Sequence, residues 1–462
     1  MRGPDWIAAV VAALPRHHPF PAVEVAGDGS AVITVIAPDR ATSRPPRELP
    51  DASYRIDTSP ADIRITCTEP AGLVAALRTV GCLTVDGSLA CGTIEDTPAF
   101  RYRGVHLDVC RHFFTADFVK RYIDVIAALG FNVFHWHLTE DQGWRIPIDS
   151  WPQLIATGSH RTEADGSRYG GAYSRAEIAD VVAHAGSLGV LVIPEIELPG
   201  HAQAAIASYR RLGCRGEPVP VWNEWGISKE VFCAGNDDVF GFLADVFDVV
   251  TDLFPSRYIH IGGDECPRDR WMECPRCRQR MQDQALADAD QLQSYFVRRA
   301  ARMLEGLGRT AIGWDEILEG GLPEGTVVMS WRGTDGGRAA ASAGNDAIMT
   351  PLTPCYFNVT HIAHDPDDVA VSTEDVFAFD PAAGLDPRSA GRVLGGQACL
   401  WTEGIETEEK AQRMLMPRLL AMSEALWSAD PARDFTEFSA RARSWLRRFE
   451  ESGWSVTPLD RA

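Results

Sequence analysis

From Thr97-Pro98 onward, short and almost wholly apolar runs alternate with longer stretches whose apolar residues recur at three- and four-residue spacing. Continuous apolar runs mark strands buried on both faces, and helical stretches between them mark βα units that build a parallel sheet. Eight runs qualify: RGVHLDV from Arg103, FNVFHWHL from Phe131, GVLVIPEIE from Gly189, RYIHIGGDE from Arg257, TAIGWDEI from Thr310, TVVMSWRG from Thr326, DAIMTPL from Asp346 and VLGGQACLWTE from Val393. Eight such strands predict an α/β fold, the closed (β/α)8 barrel. The stretches between them carry helix punctuation. In TADFVKRYIDVIAALG, Thr115 is placed to cap the first turn and Gly130 to end the last. DADQLQSYFVRRAARMLEGLG sets Leu292, Phe296 and Met303 at helical spacing and stops at Gly308. The pattern of residues 434–449 predicts an amphipathic helix packed on the barrel.

Upstream, the β-rich runs AVITVIA and DIRITC and the helical GLVAALRTVGCL predict a small α+β unit, with a Pro-, Arg- and Ser-rich loop at residues 41–53. The expected organisation is a small α+β domain at 1–97, the catalytic-sized barrel at 98–430 and a helical extension at 431–462. Residues 6–14 form a short apolar stretch bounded by Pro4 and Pro15, read as an amphipathic helix rather than a secretion signal.

A chain of 462 residues, 45% hydrophobic, can bury a large core, and its formal net charge of -20 repels phosphate backbones and anionic lipid. Neither nucleic acid nor a membrane is an expected partner; a neutral or carbohydrate substrate is. No apolar run approaches the roughly 18 residues of a membrane span. Eleven cysteines, an odd number scattered along the chain, predict reduced thiols and a cytoplasmic setting. Cys274 and Cys277 form a CxxC with Cys266 just upstream, but no second CxxC or histidine pair follows at finger spacing. The expectation there is a local structural role as thiols or a disulfide, with no metal.

Polar residues gather where the strands end: Asp108 and Arg111, Glu140 and Asp141, Glu195 and Glu197 with His201, Asp264-Glu265, Asp315-Glu316, and Glu403. In such barrels these ends display the catalytic groups. Trp144, Trp314, Trp331, Tyr356 and Trp401 stand among them. Carboxylates with aromatic rings suit a sugar, whose C–H faces pack on rings while its hydroxyls need polar partners. A single one of these residues reads equally as a rim ion pair or a core tryptophan; agreement at so many strand ends does not. Asp264-Glu265 is the sharpest point. Two carboxyls that straddle a glycosidic bond stand roughly 5 to 9.5 Å apart and come from different strands, which adjacent residues cannot easily do. One of them can be the acid while the other orients something near it, and a 2-acetamido group of the substrate can then attack C1.

Taken in order, RGVHLDVCRHFF, FNVFHWHLTEDQGWRI, IPEIELPGH, HIGGDECP, GWDEI, MSWRG and LWTE resemble the β-N-acetylhexosaminidases of glycoside hydrolase family 20 over nearly the whole barrel. The resemblance implies retaining, substrate-assisted exo-hydrolysis of terminal N-acetylglucosamine or N-acetylgalactosamine without a cofactor. By it, Glu265 is the general acid and later the base, and Asp264 holds the acetamido N–H. Trp314, Trp331 and Trp401 wall the acetamido methyl, and Tyr356 donates to the acetamido oxygen. Arg103 and Glu403 hold sugar hydroxyls, while Glu140 and His201 form a carboxylate–imidazole network that tunes Glu265. His201 also reads as a cap for the next helix. His135 and His137 share a strand face and suit packing or hydrogen bonding rather than metal ligation. Trp222 and Trp225 read equally as an aglycone subsite or as loop packing. The chain departs from the family pattern at Glu140 and Glu197, where aspartate is common, and at Asn358, where an aspartate is common near the C4–C6 edge of the sugar. Loss of that carboxylate lowers the repulsion of a 6-sulfated sugar. Two other readings stand: a two-carboxylate glycosidase with Glu195, Glu316 or Glu403 as nucleophile, and a non-catalytic sugar-binding protein.

Overall fold

The eight apolar runs become the eight strands of a parallel closed barrel in the computed structural model, which describes residues 32–36, 45–60, 62–84, 88–321, 325–361 and 369–461. The helix expected at residues 6–14 and the first part of the expected loop, 41–44, lie outside these. In chain order the barrel strands are β5 (Tyr102–Asp108), β6 (Val133–His137), β7 (Leu191–Leu198), β8 (Tyr258–Gly262), β9 (Thr310–Trp314), β10 (Val327–Ser330), β11 (Ala347–Met349) and β12 (Val393–Leu400). Each pairs in parallel with the next, and β12 closes on β5 with Gly395 opposite Tyr102 and Leu400 opposite Leu107. The expected eighth-strand tail LWTE leaves the strand at Leu400, so Trp401 and Glu403 emerge at the mouth.

The four preceding strands, β1 (Val32–Ile36), β2 (Tyr54–Thr58), β3 (Asp62–Cys67) and β4 (Gly92–Asp96), form one sheet in the order β1-β3-β2-β4. Helix α1 (Pro70–Leu83) buries Leu73, Val74, Leu77 and Val80 with Tyr54, Ile56 and Ile65, a core separate from that of the barrel. This unit sits at the barrel floor: Trp427 donates to Asp96 (3.0 Å) and lies beneath the guanidinium groups of Arg78 and Arg103.

Around the barrel, α2 (Ala116–Ala128) starts at Thr115, whose hydroxyl accepts from the Phe118 N–H, and the chain turns away at Gly130. It buries Phe118, Val119, Tyr122, Ile123 and Ile126. Large apolar side chains fully buried in this way contribute about 1.5–3 kcal/mol each, which makes packing rather than propensity the source of its stability. Helix α3 (Ala289–Gly306) is capped by Asp288. The expected C-terminal helix is α4 (Phe435–Glu451), capped by Asp434 and anchored through Phe438, Ala442, Leu446 and Phe449. Among the described residues, no helix is long and apolar enough to cross a membrane.

Candidate active site

Asp264 and Glu265 follow β8 through the turn Gly262-Gly263. Gly262 has φ of 62°, and a Cβ there would approach Glu197 Oε2 to 1.7 Å, so only glycine lets the chain pass over this buried acid. The turn delivers Asp264 buried, 8% exposed, and Glu265 with its side chain 34% exposed. Glu265 itself has φ of 45° and His201, after β7, has φ of 48°. Left-handed backbone at non-glycine residues is strained, and such strain collects at functional sites.

These two strained residues meet. His201 Nε2 lies 3.5 Å from Asp264 Oδ2 and 3.6 Å from Glu265 Oε2, while its Nδ1 bonds Glu140 Oε1 at 2.7 Å. The helix that follows, Gln203–Ser208, begins at Ala202 without a side-chain cap, so His201 is turned inward rather than serving as a cap. Glu140 Oε2 in turn lies 3.1 Å from both His137 Nε2 and Arg111 Nη2. The result is a chain of alternating charge that runs from Arg111 through Glu140 and His201 to the Asp264-Glu265 pair. Burial opposes the charge on His201, but Glu140 and Asp264 outweigh it and hold its pKa well above the usual histidine range. Burial likewise opposes ionisation of Glu140, and Arg111 and His201 outweigh it, holding that carboxyl far below the usual range. For Glu265 the balance falls the other way: burial, then the charge of Asp264, raises its pKa, and His201 and Arg111 oppose the rise without cancelling it. A carboxyl whose pKa is raised beside an ionised network is suited to general acid catalysis.

Asp264 Oδ1 is buried and accepts no hydrogen bond among the described residues. An orphaned carboxylate oxygen costs about 1–3 kcal/mol or more, which a ligand N–H would recover. Around it stand Trp314, Trp331, Tyr356 and Trp401. The Trp401 ring centroid lies 5.8 Å from that of Trp314 and 6.2 Å from that of Tyr356, and Tyr356 stacks on Trp331 at 6.1 Å. The Trp314 and Trp331 indoles are locked by N–H donation to Glu195 and Glu316, each at 2.9 Å. Of the other aromatic residues expected here, Trp144 lies in the core against Phe242 and donates to the Ile146 carbonyl.

Behind this aromatic wall, Glu195 is fully buried, with a donor on each oxygen and three imidazoles around it. It meets His137 Nδ1, His260 Nδ1 (2.6 Å), His135 Nε2 (3.1 Å) and the Trp314 indole. Burial opposes its charge, but the three imidazoles outweigh it and keep its pKa well below the usual range. His135 and His137 therefore share the interior face that their alternation predicts. Glu316 is the opposite case: burial, then the charge of Asp264, pushes it up to about 8.

The structure separates Arg103 from the rest. It lies at the start of β5, on the floor, where its guanidinium donates to the carbonyls of Gly130 (2.8 Å) and Phe100 (2.7 Å). Holding sugar hydroxyls from there is ruled out by position. Arg111 occupies the place that role requires: Nη1 is 3.3 Å from Asp108 Oδ2, Nη2 is 3.9 Å from Glu403 Oε1, and the guanidinium lies 5.1 Å from the Trp401 ring centroid. The signal was in the sequence, since Arg111 follows the strand and Arg103 begins it. Asn358 lies just past Tyr356, with Oδ1 buried and unbonded among the described residues. At the rim, half-exposed Trp225 packs near His112 and under Arg161, whereas the Trp222 backbone is tied to the Asp141 carbonyl.

Residues 100–430 match the glycosyl hydrolase family 20 catalytic domain. A β-hexosaminidase of Porphyromonas gingivalis is 46% identical over 367 residues, covering 78% of this chain and 47% of the relative, so the chain spans about half of that protein's length. One from Akkermansia muciniphila is 32% identical over 403 residues, covering 84% and 81%. The solved exo-β-N-acetylglucosaminidase of Vibrio harveyi, in complex with N-acetylglucosamine, superposes with a TM-score of 0.84 at 30% identity, covering 98% of this chain and 73% of that one. With the barrel closed, the acid pair at its mouth and the family match spanning it, the chain belongs to glycosyl hydrolase family 20.

Proposed function

We propose that this chain is an exo-β-N-acetylhexosaminidase that releases terminal β-linked N-acetylglucosamine or N-acetylgalactosamine by substrate-assisted, retaining catalysis. The observation that carries this reading is the buried Oδ1 of Asp264, unbonded among the described residues, beside Glu265, whose pKa burial raises, and an aromatic wall. Asp264 accepts the acetamido N–H and turns the carbonyl oxygen toward C1. Glu265 gives its proton to the glycosidic oxygen while that carbonyl oxygen bonds to C1, and the aglycone leaves as an alcohol. The positive charge of the resulting oxazolinium ring falls beside the Asp264 carboxylate. Glu265, now a carboxylate near the His201 cation, takes a proton from water as the water oxygen bonds to C1 and the ring reopens. Trp314, Trp331 and Trp401 enclose the methyl group, Tyr356 donates to the carbonyl oxygen, and Arg111 with Glu403 takes sugar hydroxyls. His201 and Glu140 are positioning residues acting through Glu265 and Asp264.

The two-carboxylate reading is disfavoured by the state of its candidate nucleophiles. Glu195 is fully buried, with one oxygen bonded to His137 and the other to the Trp314 indole, and burial with the Asp264 charge pushes the Glu316 pKa up to about 8. Aryl β-glycosides of N-acetylglucosamine, N-acetylgalactosamine and glucose, assayed with the native chain and Glu265→Gln, test the proposal. Hydrolysis of the acetamido sugars alone, lost in the variant with a poor leaving group, supports it. Hydrolysis of the glucoside at a similar rate overturns it, and silence on all three points to a binding protein.

A further inference from the structure

Four cysteines that are scattered in the sequence converge at the side of the active-site mouth. The Sγ atoms of Cys214, Cys233, Cys274 and Cys277 all lie within 4.8 Å of one another. The separations are 3.7 Å for Cys214–Cys277, 3.6 Å for Cys233–Cys277 and 3.8 Å for Cys233–Cys274. Four sulfurs about 2.3 Å from a central zinc ion form a tetrahedron whose edges are about 3.8 Å, which is the spacing found. A disulfide would single out one partner for each cysteine at about 2.05 Å. Here Cys277 is equally near two partners, and so is Cys233.

We propose that these four thiolates bind a structural zinc ion. The backbone around them is built to bring them together. Gly213 and Phe232 pair as an antiparallel bridge, which sets Cys214 beside Cys233. Cys274 precedes the helix Pro275–Asp283 at its N-cap position and Cys277 lies in its first turn, so the CxxC spacing places both sulfurs on one side. Between the two halves, a Cβ on Gly235 would fall 2.2 Å from the Arg276 carbonyl carbon and 2.5 Å from the Cys277 nitrogen; only glycine permits this approach. Cys233, Cys274 and Cys277 are buried and Cys214 is half-buried, which leaves the sulfurs shielded from solvent. A tetrathiolate zinc centre carries two net negative charges. Arg215 and Arg276 adjoin its ligands in sequence, and Arg276 also binds the Gly213 and Cys214 carbonyls at 3.1 and 3.3 Å. The CxxC lacks a second pair downstream because that pair lies upstream, on a different loop.

The centre joins the two loops that flank Glu265. One follows β7 and carries Trp222, Trp225 and Ser228; the other follows β8 and begins with Asp264-Glu265 itself. The same junction holds the Trp271 indole, which donates to the Phe232 carbonyl at 2.8 Å, and Glu230, which takes Arg215 and Arg270 at 2.6 and 2.9 Å. Metal binding at such a site adds directly to folding stability and fixes both loops relative to each other.

The test is metal analysis of the full chain purified from zinc-supplemented cells and dialysed under reducing conditions. About one zinc per chain is expected, and replacement by cobalt(II) gives the visible and sulfur-to-metal absorption of a tetrahedral tetrathiolate. Cys214→Ser, at the most accessible ligand, lowers zinc retention and melting temperature, while Cys82→Ser, exposed and remote, changes neither. If Cys214→Ser fails to fold, zinc content and the cobalt spectrum of the native chain still decide. A folded, active native chain with negligible zinc and no thiolate–cobalt bands overturns the proposal, as do disulfides within the four cysteines found by mass spectrometry of the native chain.

Discussion

Arg103 and Arg111 are both buried, 2% and 6% exposed, and they mark opposite ends of the same barrel strand. On the floor, Arg103 gives Nε and Nη1 to neutral carbonyls and lies over a tryptophan face, its Nη2 has no partner among the described residues, and burial pushes its pKa down. At the mouth, burial acts on Arg111 in the same direction, but Glu140, Asp108 and Glu403 outweigh it and its pKa rises. The acids repeat the contrast. Glu195 has a donor on each oxygen, His137 on one and the Trp314 indole on the other, whereas Asp264 keeps one buried oxygen without a donor among the described residues. Burial alone therefore does not distinguish structural from functional charge. The two arginines differ in whether their partners are neutral carbonyls or carboxylates, and the two acids in whether each oxygen meets a donor or one is left for a ligand.

The contrast can be broken by substitution, most sharply at the mouth. Glu265→Gln lowers kcat about 10²–10⁴-fold for glycosides with poor leaving groups and far less for activated aryl glycosides, read from steady-state kinetics across a leaving-group series. A uniform loss across the series would deny Glu265 the acid role. Glu195→Gln leaves buried imidazoles without their counter-charge and costs about 3–5 kcal/mol of stability, measured by denaturant unfolding. A stable Glu195→Gln that loses only activity would move Glu195 into the chemistry.

The arginine pair sharpens the comparison further. Arg111→Ala lowers kcat/KM by about 10²-fold or more while Arg103→Ala lowers the melting temperature and leaves KM near that of the native chain. Reversed outcomes would restore Arg103 to the sugar site. For pH, the signs follow from the groups around Glu265. Burial and the Asp264 anion raise its pKa, and the His201 cation opposes them. The alkaline limb of kcat/KM thus lies above the ordinary carboxylate range. His201→Phe removes the opposing cation and moves that limb to higher pH, whereas Asp264→Asn removes an anion and moves it lower. A limb unmoved by either change would separate it from Glu265. The smallest effect expected is at Asn358: Asn358→Asp slows a 6-sulfated N-acetylglucosaminide a few-fold relative to the plain sugar, since it adds a carboxylate near the anion.

The barrel was legible because each strand is buried on both faces and so reads as an unbroken apolar run ending in polar residues. Thr115 and Gly130 were legible because caps obey local rules. The acid pair and the aromatic wall were found through motifs at the strand ends. What stayed hidden depends on distances across the fold. Arg103 was misplaced because a shared motif does not state which end of the strand faces substrate. The imidazoles around Glu195, those of His135, His137 and His260, come from two other strands. The cysteine cluster joins Cys274 and Cys277 to Cys214 and Cys233 on another loop, and no spacing rule scanned downstream could reach them.

The central claim is that the substrate's acetamido oxygen, aligned by Asp264, is the nucleophile. Aryl N-acetylglucosaminides bearing acetyl, monofluoroacetyl, difluoroacetyl and trifluoroacetyl groups test it directly, because fluorine weakens that oxygen and leaves the leaving group and Glu265 untouched. The account predicts a steep fall in kcat with each added fluorine. A flat series, with the sugar still bound and cleaved, would place the nucleophile on the protein and contradict it.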